Sequence, residues 1–248
     1  MSEQATASEI SSDSALFDIM YSCRAMRRFK TDPVPEEVLV KLVESATQAP
    51  SSSNNQCWRF VIVRDRATKA RIKANWSKGW DWYQETLASA PARPGEDLDG
   101  RLRQRKAGQY MIDHMEDIPA LIFVCMKKDE AIATALQSPK VITAAIRHFG
   151  FGGMMKFLMG AGKAGSTGID STAYPAVQNL LLSARALGLG AVLTTPHLFT
   201  PGAYEEILGI PSDVTLTAVI PVGYPKGKFG PVSRPPARSL ISWDHYTG

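Results

Sequence analysis

Cysteine is scarce in this 248-residue chain, and the three present, Cys23, Cys57 and Cys125, form no C-x-x-C pair. An odd number without that spacing argues against a disulfide framework or a zinc site and suits a reduced cytoplasm. His114, His148, His197 and His245 are widely spaced and form no H-E-x-x-H, so no metal is expected. No apolar stretch reaches the ~18 residues of a spanning helix. Residues 1–14, rich in Ser, Ala and acids, lack the basic start and apolar run of a secretory signal. They read as a disordered tail on a soluble, cytoplasmic protein with no membrane partner. The net charge of +4 is dispersed, without the Lys/Arg block of a phosphate-tracking surface, which argues against nucleic acid and leaves small anions open. There is no G-x-S-x-G, and the serines at 51–53 lie in a Ser/Asn loop, so a serine nucleophile is unsupported. No repeat or long linker divides the chain, so residues 15–248 are expected to form one domain.

One glycine motif invites a Rossmann reading. Residues 160–165 match G-x-G-x-x-G, but a Met-rich segment precedes them where a strand is required, and Ser166 to Asp170 reads as a loop where a helix is required. The Walker pattern also fails, because Lys163 is followed by Ala164.

The remaining chain has clear local signals. Leu16, Ile19, Met20 and Cys23 fall at helical spacing, with Asp13 or Ser14 available as N-cap, predicting a helix that ends near Arg24 and Arg27. Pro35, Glu36 and Glu37 open a second helix with Val38, Leu39, Leu42, Val43 and Ala46 on its apolar face, stopped before Pro50. Trp58 to Val63 and Ala120 to Met126 read as strands, the latter buried on both faces. Between them runs a charged helical stretch holding Trp76, Trp80, Trp82 and Tyr83, a cluster that suits helix packing or a lid. Residues 131–170, with seven glycines between Gly150 and Gly168, give no clear element. Tyr174 to Leu187, apolar almost all round, predicts a central buried helix with Pro175 near its start. Ala191 to Thr195 reads as a strand, Pro201 to Leu208 as a short helix and Val214 to Val222 as an alternating strand.

Two segments carry the functional signal: Cys23-Arg24-Ala25-Met26-Arg27-Arg28-Phe29 and Ala49-Pro50-Ser51-Ser52-Ser53-Asn54-Asn55-Gln56-Cys57-Trp58. Arg24 and Arg27 would share a face if the helix ran through them. A turn of small hydrogen-bonding residues beside guanidinium groups suits an anionic, flat, polar-edged cofactor. An isolated arginine pair is more often a solvated helix end. The balance changes only if the loop, the Leu193 to Thr195 strand end and Arg234 converge on it.

These segments, with Tyr174 to Leu182, Ala186 to Gly190, Ile220 to Pro225 and Arg234-Pro235-Pro236, resemble the FMN-dependent nitroreductase family in order and spacing. Cys23 stands where the family's opening has an arginine, Ala25 where it has a serine and Cys57 where it has a proline. Residues 67–171 align with no part of it. The resemblance implies an α+β fold, a mixed β-sheet flanked by helices, in an intertwined homodimer with FMN at the interface. It implies Arg24 at the flavin phosphate, Arg27 at the pyrimidine edge and Arg234 closing on the phosphate. Ser51, Ser52 and Asn54 would hold the ring from a loop that either subunit could supply, and Leu193, Thr194 and Thr195 would lie against it, the Thr195 amide facing N5. Ala25 and Pro50 complete the expected contact set. The implied activity is ping-pong reduction of nitroaromatic, quinone or other electron-poor acceptors by NAD(P)H. Alternatives on the same fold are a reductive dehalogenase, a flavin-destructase or a flavin-binding protein with little turnover. Residues 131–170 are expected to be a variable insert or lid, of which residues 150–165 would cover the open ring face and select the acceptor.

Overall fold

The structure is a computed structural model and describes residues 15–92, 96–130, 134–135 and 138–247. The expected tail and the Asp13 or Ser14 cap lie outside the described residues. Helix α1 spans Ala15–Ser22, α2 Glu36–Ala46, α3 Arg66–Ala88, α4 Leu98–Asp113, α5 Lys140–Ala186 and α6 Ala203–Leu208. Strand β1 spans Trp58–Val63, β2 Ala120–Lys127, β3 Gly190–Ala191 and β4 Val214–Gly223. Asp65 and Asp97 cap α3 and α4, accepting from the Thr68 and Gly100 N–H groups at 2.6 and 2.8 Å. Such caps satisfy amide donors that have no partner inside the helix.

The sheet order is β1-β2-β4-β3, and every described pairing is antiparallel. The α+β class stands, while the sheet expected to be mixed is antiparallel within one chain. Strand β2 is its centre, buried from Ala120 to Met126 as its apolar run predicts. Successive side chains on a strand point to opposite faces. Ala120, Ile122, Val124 and Met126 therefore meet Leu39 and Leu42 of α2 and Val177 and Leu180 of α5, whereas Leu121, Phe123 and Cys125 meet Ile72, Trp76, Met111 and Tyr204. Burial, with the Glu205 carboxylate nearby, pushes the Cys125 thiol up to about 12, which marks it as an inert packing group.

Strand β4 does not alternate as expected; it is buried from Leu216 to Gly223. Its register against β2 shifts between Val124 and Cys125, leaving Thr217 as the extra residue. The Thr217 hydroxyl donates to the Val124 carbonyl at 2.9 Å, satisfying a buried polar group at the bulge. Because of that bulge, Leu216 and Val219 face one layer while Ala218, Ile220 and Val222 face the other. The strand expected over Ala191 to Thr195 is shorter: β3 ends at Ala191, and Thr194 adds a single bridge to Val219.

Helix α5 corrects the largest misreading. It begins at Lys140, so Ser166 to Asp170 is helix where a loop was expected, and Pro175 lies inside the helix where it was expected near the start. Glycine lowers helix propensity by about 1 kcal/mol per residue relative to alanine, which is why the sequence reads as irregular there. The path breaks at Gly150, whose φ of 68° and ψ of 175° suit glycine almost alone. At the other end, Gly188 takes φ 75°, and the Leu189 and Gly188 N–H groups close on the Ala184 and Arg185 carbonyls. That glycine-terminated cap stops the helix where the sequence predicted. No helix among the described residues is long and apolar enough to cross a membrane.

Beyond β3, a short 3-10 turn over Pro196–Leu198 buries His197, whose Nδ1 has no partner among the described residues. Burial pushes its pKa below the ordinary value, opposed in part by the Glu205 carboxylate. Its folded pKa being the lower, the unfolded chain takes up the proton first on acidification. The stability this group contributes is complete above about pH 6.5 and is lost as pH falls below it, by up to about 1.4 kcal/mol per pH unit. Urea midpoints measured from pH 7.5 to 5 should therefore fall less steeply in His197→Gln than in the parent; identical slopes would refute the role given to His197.

Candidate functional site

The arginine segment is not helical. Helix α1 ends at Ser22, and Cys23 to Arg28 runs extended along the sheet edge. The Met26 N–H donates to the Ala191 carbonyl at 3.1 Å, the Lys30 N–H to Tyr224 at 2.8 Å, and Phe29 bridges Pro225. These backbone bonds outcompete the helix continuation, so Arg24 and Arg27 do not share a helical face. They nevertheless reach one cavity of about 720 Å³, together with Ala25, Gln178 and Leu181 of the chain's central region, Ala191 to Leu193, and Pro231 to Arg234 of the tail. The Val232 N–H holds that tail by donating to the Tyr21 carbonyl at 3.2 Å.

Three guanidinium groups, those of Arg24, Arg27 and Arg234, thus line a cavity whose walls contain no carboxylate among the described residues. The Arg24 and Arg27 side chains form no hydrogen bond or ion pair among the described residues, and Arg234 donates only to the neighbouring Ser233 carbonyl, at 2.8 Å. Arg27 is half-buried, and burial pushes its pKa down, a sign that its charge lacks compensation. An anion seated there would relieve that cost.

A second cavity of about 550 Å³ adjoins the first, since Arg27 and Gln104 line both. Its walls are α3 and α4, and its floor is Thr194, Thr195 and Pro196. The Trp80, Tyr83 and Phe199 rings form one wall, with centroids 6.0 Å apart between Trp80 and Tyr83 and 5.6 Å between Tyr83 and Phe199. The aromatic cluster thus serves both roles: Trp76 is buried in the core and still reaches the cavity, while Trp80 and Tyr83 form its wall. Two glycines allow this wall to close. A Cβ on Gly79 would lie 2.7 Å from the Phe199 Cβ, and one on Gly108 would lie 2.5 Å from the Trp80 ring. The Thr195 N–H has no acceptor among the described residues, and Pro196 has no N–H to donate.

The Ser/Asn loop is not brought to the arginines within one chain. Pro50, Ser51, Ser52 and Asn54 line neither cavity. The loop is pinned to α5 instead: the Ser52 N–H donates to the Thr172 hydroxyl at 3.3 Å, and the Trp58 indole to the Thr172 carbonyl at 3.2 Å. Ser53, Asn54 and Gln56 take positive φ of 51°, 54° and 48°, and the Ser51 hydroxyl accepts from the Gln56 N–H at 3.2 Å. Residues 151–165 are helical, and none of the side chains described there lines either cavity. Among the expected residues, Arg24, Ala25, Arg27, Leu193, Thr194, Thr195 and Arg234 converge. Gln104, Gln178 and the α3–α4 wall were missed; Gln178 lies inside the recognised Tyr174 to Leu182 motif, but α4 carries no motif.

Comparison with known proteins gives the same frame. The family model described as "Nitroreductase family" matches residues 21–224. A protein of Thermus thermophilus named NADH dehydrogenase is 29% identical over 226 residues, 89% of this chain and 91% of that protein. The iodotyrosine deiodinase of Thermotoga neapolitana is 25% identical over 213 residues, 85% and 88% of the two chains. A solved structure of oxidised iodotyrosine deiodinase bound to FMN and 3-iodo-L-tyrosine superposes with a TM-score of 0.63 at 23% identity, over 93% of this chain and all of that one.

The two glycines give a test of the cavity wall. The Phe199 Cβ is tied to its backbone and cannot swing away from a methyl at position 79, whereas the far edge of the Trp80 ring can yield to one at 108. After the helix-propensity gain of alanine, Gly79→Ala should lose about 1–2 kcal/mol. Gly108→Ala should lose less than half of that. Chemical denaturation of both variants checks this ordering, and a reversed order would contradict the wall geometry.

Proposed function

The chain belongs to the nitroreductase family, and from that premise we propose that it is an FMN-dependent NAD(P)H oxidoreductase reducing electron-poor acceptors such as nitroaromatics and quinones. The observation that carries the reading is the convergence of Arg24, Arg27 and Arg234 on a cavity without a carboxylate, opening into an aromatic-walled one. The residues fit FMN. The group is flat and anionic, both cavities fall in the ~300–1,000 Å³ range of ligand sites, and the uncompensated cations match a phosphate and an electron-rich ring edge. Arg24 and Arg234 would hold the phosphate and Arg27 the pyrimidine edge, with Leu193 and Thr194 against the ring and the free Thr195 N–H as donor to N5. Ala25 contributes backbone only.

When bound, FMN supplies hydride transfer, accepting two electrons from NAD(P)H and delivering them to the acceptor that succeeds it. The chain's own part is orientation and electrostatics. Arg27 opposes the negative charge that builds at the pyrimidine edge on reduction, from a half-buried position where its field is weakly screened. The Trp80, Tyr83 and Phe199 wall stacks the acceptor and excludes water. No side chain is assigned as acid or base.

A homodimer completes the site in this reading. Pro50, Ser51, Ser52 and Asn54 would then reach the ring from the partner subunit. The start of α5 supports association, because Phe149, Phe151 and Met159 are 63, 70 and 83% exposed, an apolar surface unusual for a monomer. Residues 150–165 would approach a site only across that interface. Reductive dehalogenation on the same site is the second reading, favoured by the similarity to the Thermotoga deiodinase; parallel turnover of halogenated and nitro-substituted aromatics separates the two.

Purified protein should be a yellow dimer with an FMN-to-chain ratio near one; colourless, monomeric protein indifferent to added FMN would sink the proposal. Arg234→Ala should weaken FMN binding by ~1.5–3 kcal/mol. Arg27→Ala should chiefly slow flavin reduction in rapid mixing with NADH or NADPH. Full flavin affinity in Arg234→Ala would refute the phosphate role.

A further inference from the structure

Resting on the oxidoreductase reading, we propose that the acceptor is a flat aromatic compound bearing a carboxylate, and that Arg105 of α4 selects it. Among the described residues, the cavity between α3 and α4 is lined by five charged side chains: Arg27, Glu96, Asp97, Arg101 and Arg105. Arg27 belongs to the adjoining arginine cavity. Glu96 lies 3.1 Å from Arg101, in a pair whose side chains are 19 and 27% exposed. Asp97 caps α4 through the Gly100 N–H and pairs with Arg103 at 3.0 Å. Both carboxylates are thus engaged by other groups. Arg105 is left as a half-buried cation with no carboxylate partner among the described residues.

What holds Arg105 is neutral. Its Nε–H donates to the Gln84 side-chain carbonyl. Arginine only donates, so Gln84 must present its oxygen there, and that fixes its amide orientation. The Gln84 Nε2 is consequently a second donor, and it is buried without a partner among the described residues. Buried donors are nearly always satisfied, so this one points to an acceptor that arrives with a ligand. A carboxylate on Arg105 would lie beside the side chain that carries this donor. Planar, two-oxygen anions match the guanidinium fork. The aromatic wall of Trp80, Tyr83 and Phe199 completes the selection by stacking the ring that carries the carboxylate.

The test uses FMN-saturated protein, so that the arginine cavity is filled. With NADH as donor, the ratio of kcat/KM for 4-nitrobenzoate to that for nitrobenzene should fall at least tenfold in Arg105→Gln and be largely kept in Arg105→Lys. A ratio within twofold of the parent in Arg105→Gln would overturn the proposal. Binding to the parent protein decides independently of turnover and of any folding defect in the variants. By calorimetry, 4-aminobenzoate should bind at least tenfold tighter than aniline, with a preference that shrinks as salt is added; equal affinities would overturn the proposal. Selective 4-aminobenzoate binding without reduction of any acceptor would instead sink the oxidoreductase reading and leave the Arg105 assignment standing.

Discussion

Burial of β2 on both faces is the constraint from which the rest of the molecule is built. A strand with water on one side can alternate polar and apolar residues, but Ala120 to Met126 cannot, so each face must be covered by a separate layer. One layer is α2 with the second half of α5; the other is α3, α4 and the Tyr204 region. The functional cavities lie on the second side and at its margin. Their α3–α4 wall is in place only because Leu121 and Phe123 give Ile72, Trp76 and Met111 something to pack against. The site inherits its rigidity from the sheet and its shape from the helices.

The sheet also decides where the positive charge goes. Had α1 continued, Arg24 and Arg27 would stand on a solvent-washed helix end, where isolated charges contribute little. The Met26 amide bond to Ala191 and the Phe29 to Pro225 bridge draw that segment against β3 and the chain beyond β4 instead. Gly190 permits the approach, since a Cβ there would lie 2.9 Å from the Met26 Cβ. A local propensity for helix therefore yields to backbone pairing, and the cations end at one cavity, with Arg27 half-buried there and Arg24 and Arg234 exposed. A separate bond, from the Val232 N–H to the Tyr21 carbonyl, holds the tail where Arg234 lines the same cavity.

The parts of the fold visible in the sequence are those whose period or punctuation is set locally. The apolar run of β2, the Pro35-Glu36-Glu37 start of α2 and the Gly188 stop of α5 each depend on a few adjacent residues, and each lies where the residues say. The first half of α5 was not legible, because its glycines argue against helix and, among the described residues, large apolar side chains such as Phe149, Phe151 and Met159 stay exposed. The bulge at Thr217 was equally hidden, being a property of two strands in register. At the site, Arg24, Arg27 and Arg234 were visible through their motifs, but their shared cavity depends on distant pairings. Of the α3–α4 cavity only the aromatic cluster of Trp80 and Tyr83 left a trace, since Gln84 and Arg105 acquire meaning only when two helices, 21 residues apart in sequence at that contact, are laid side by side.

The two adjoining cavities differ in how their charge is settled, and that difference suggests how one fold serves many reactions. The arginine cavity has only cations and sits on backbone-paired segments that span the recognised family motifs. Its preference for an anion is tied to the sheet and would be hard to change without unpairing it. The α3–α4 cavity is bounded by side chains of exposed helix faces, with local ion pairs such as Glu96 with Arg101 and neutral props such as Gln84. Substitutions there alter charge and shape without touching the strand pairings. In the proposed reading, binding of the cofactor is thereby separated from choice of acceptor, with Arg27 and Gln104 as the boundary that both cavities share.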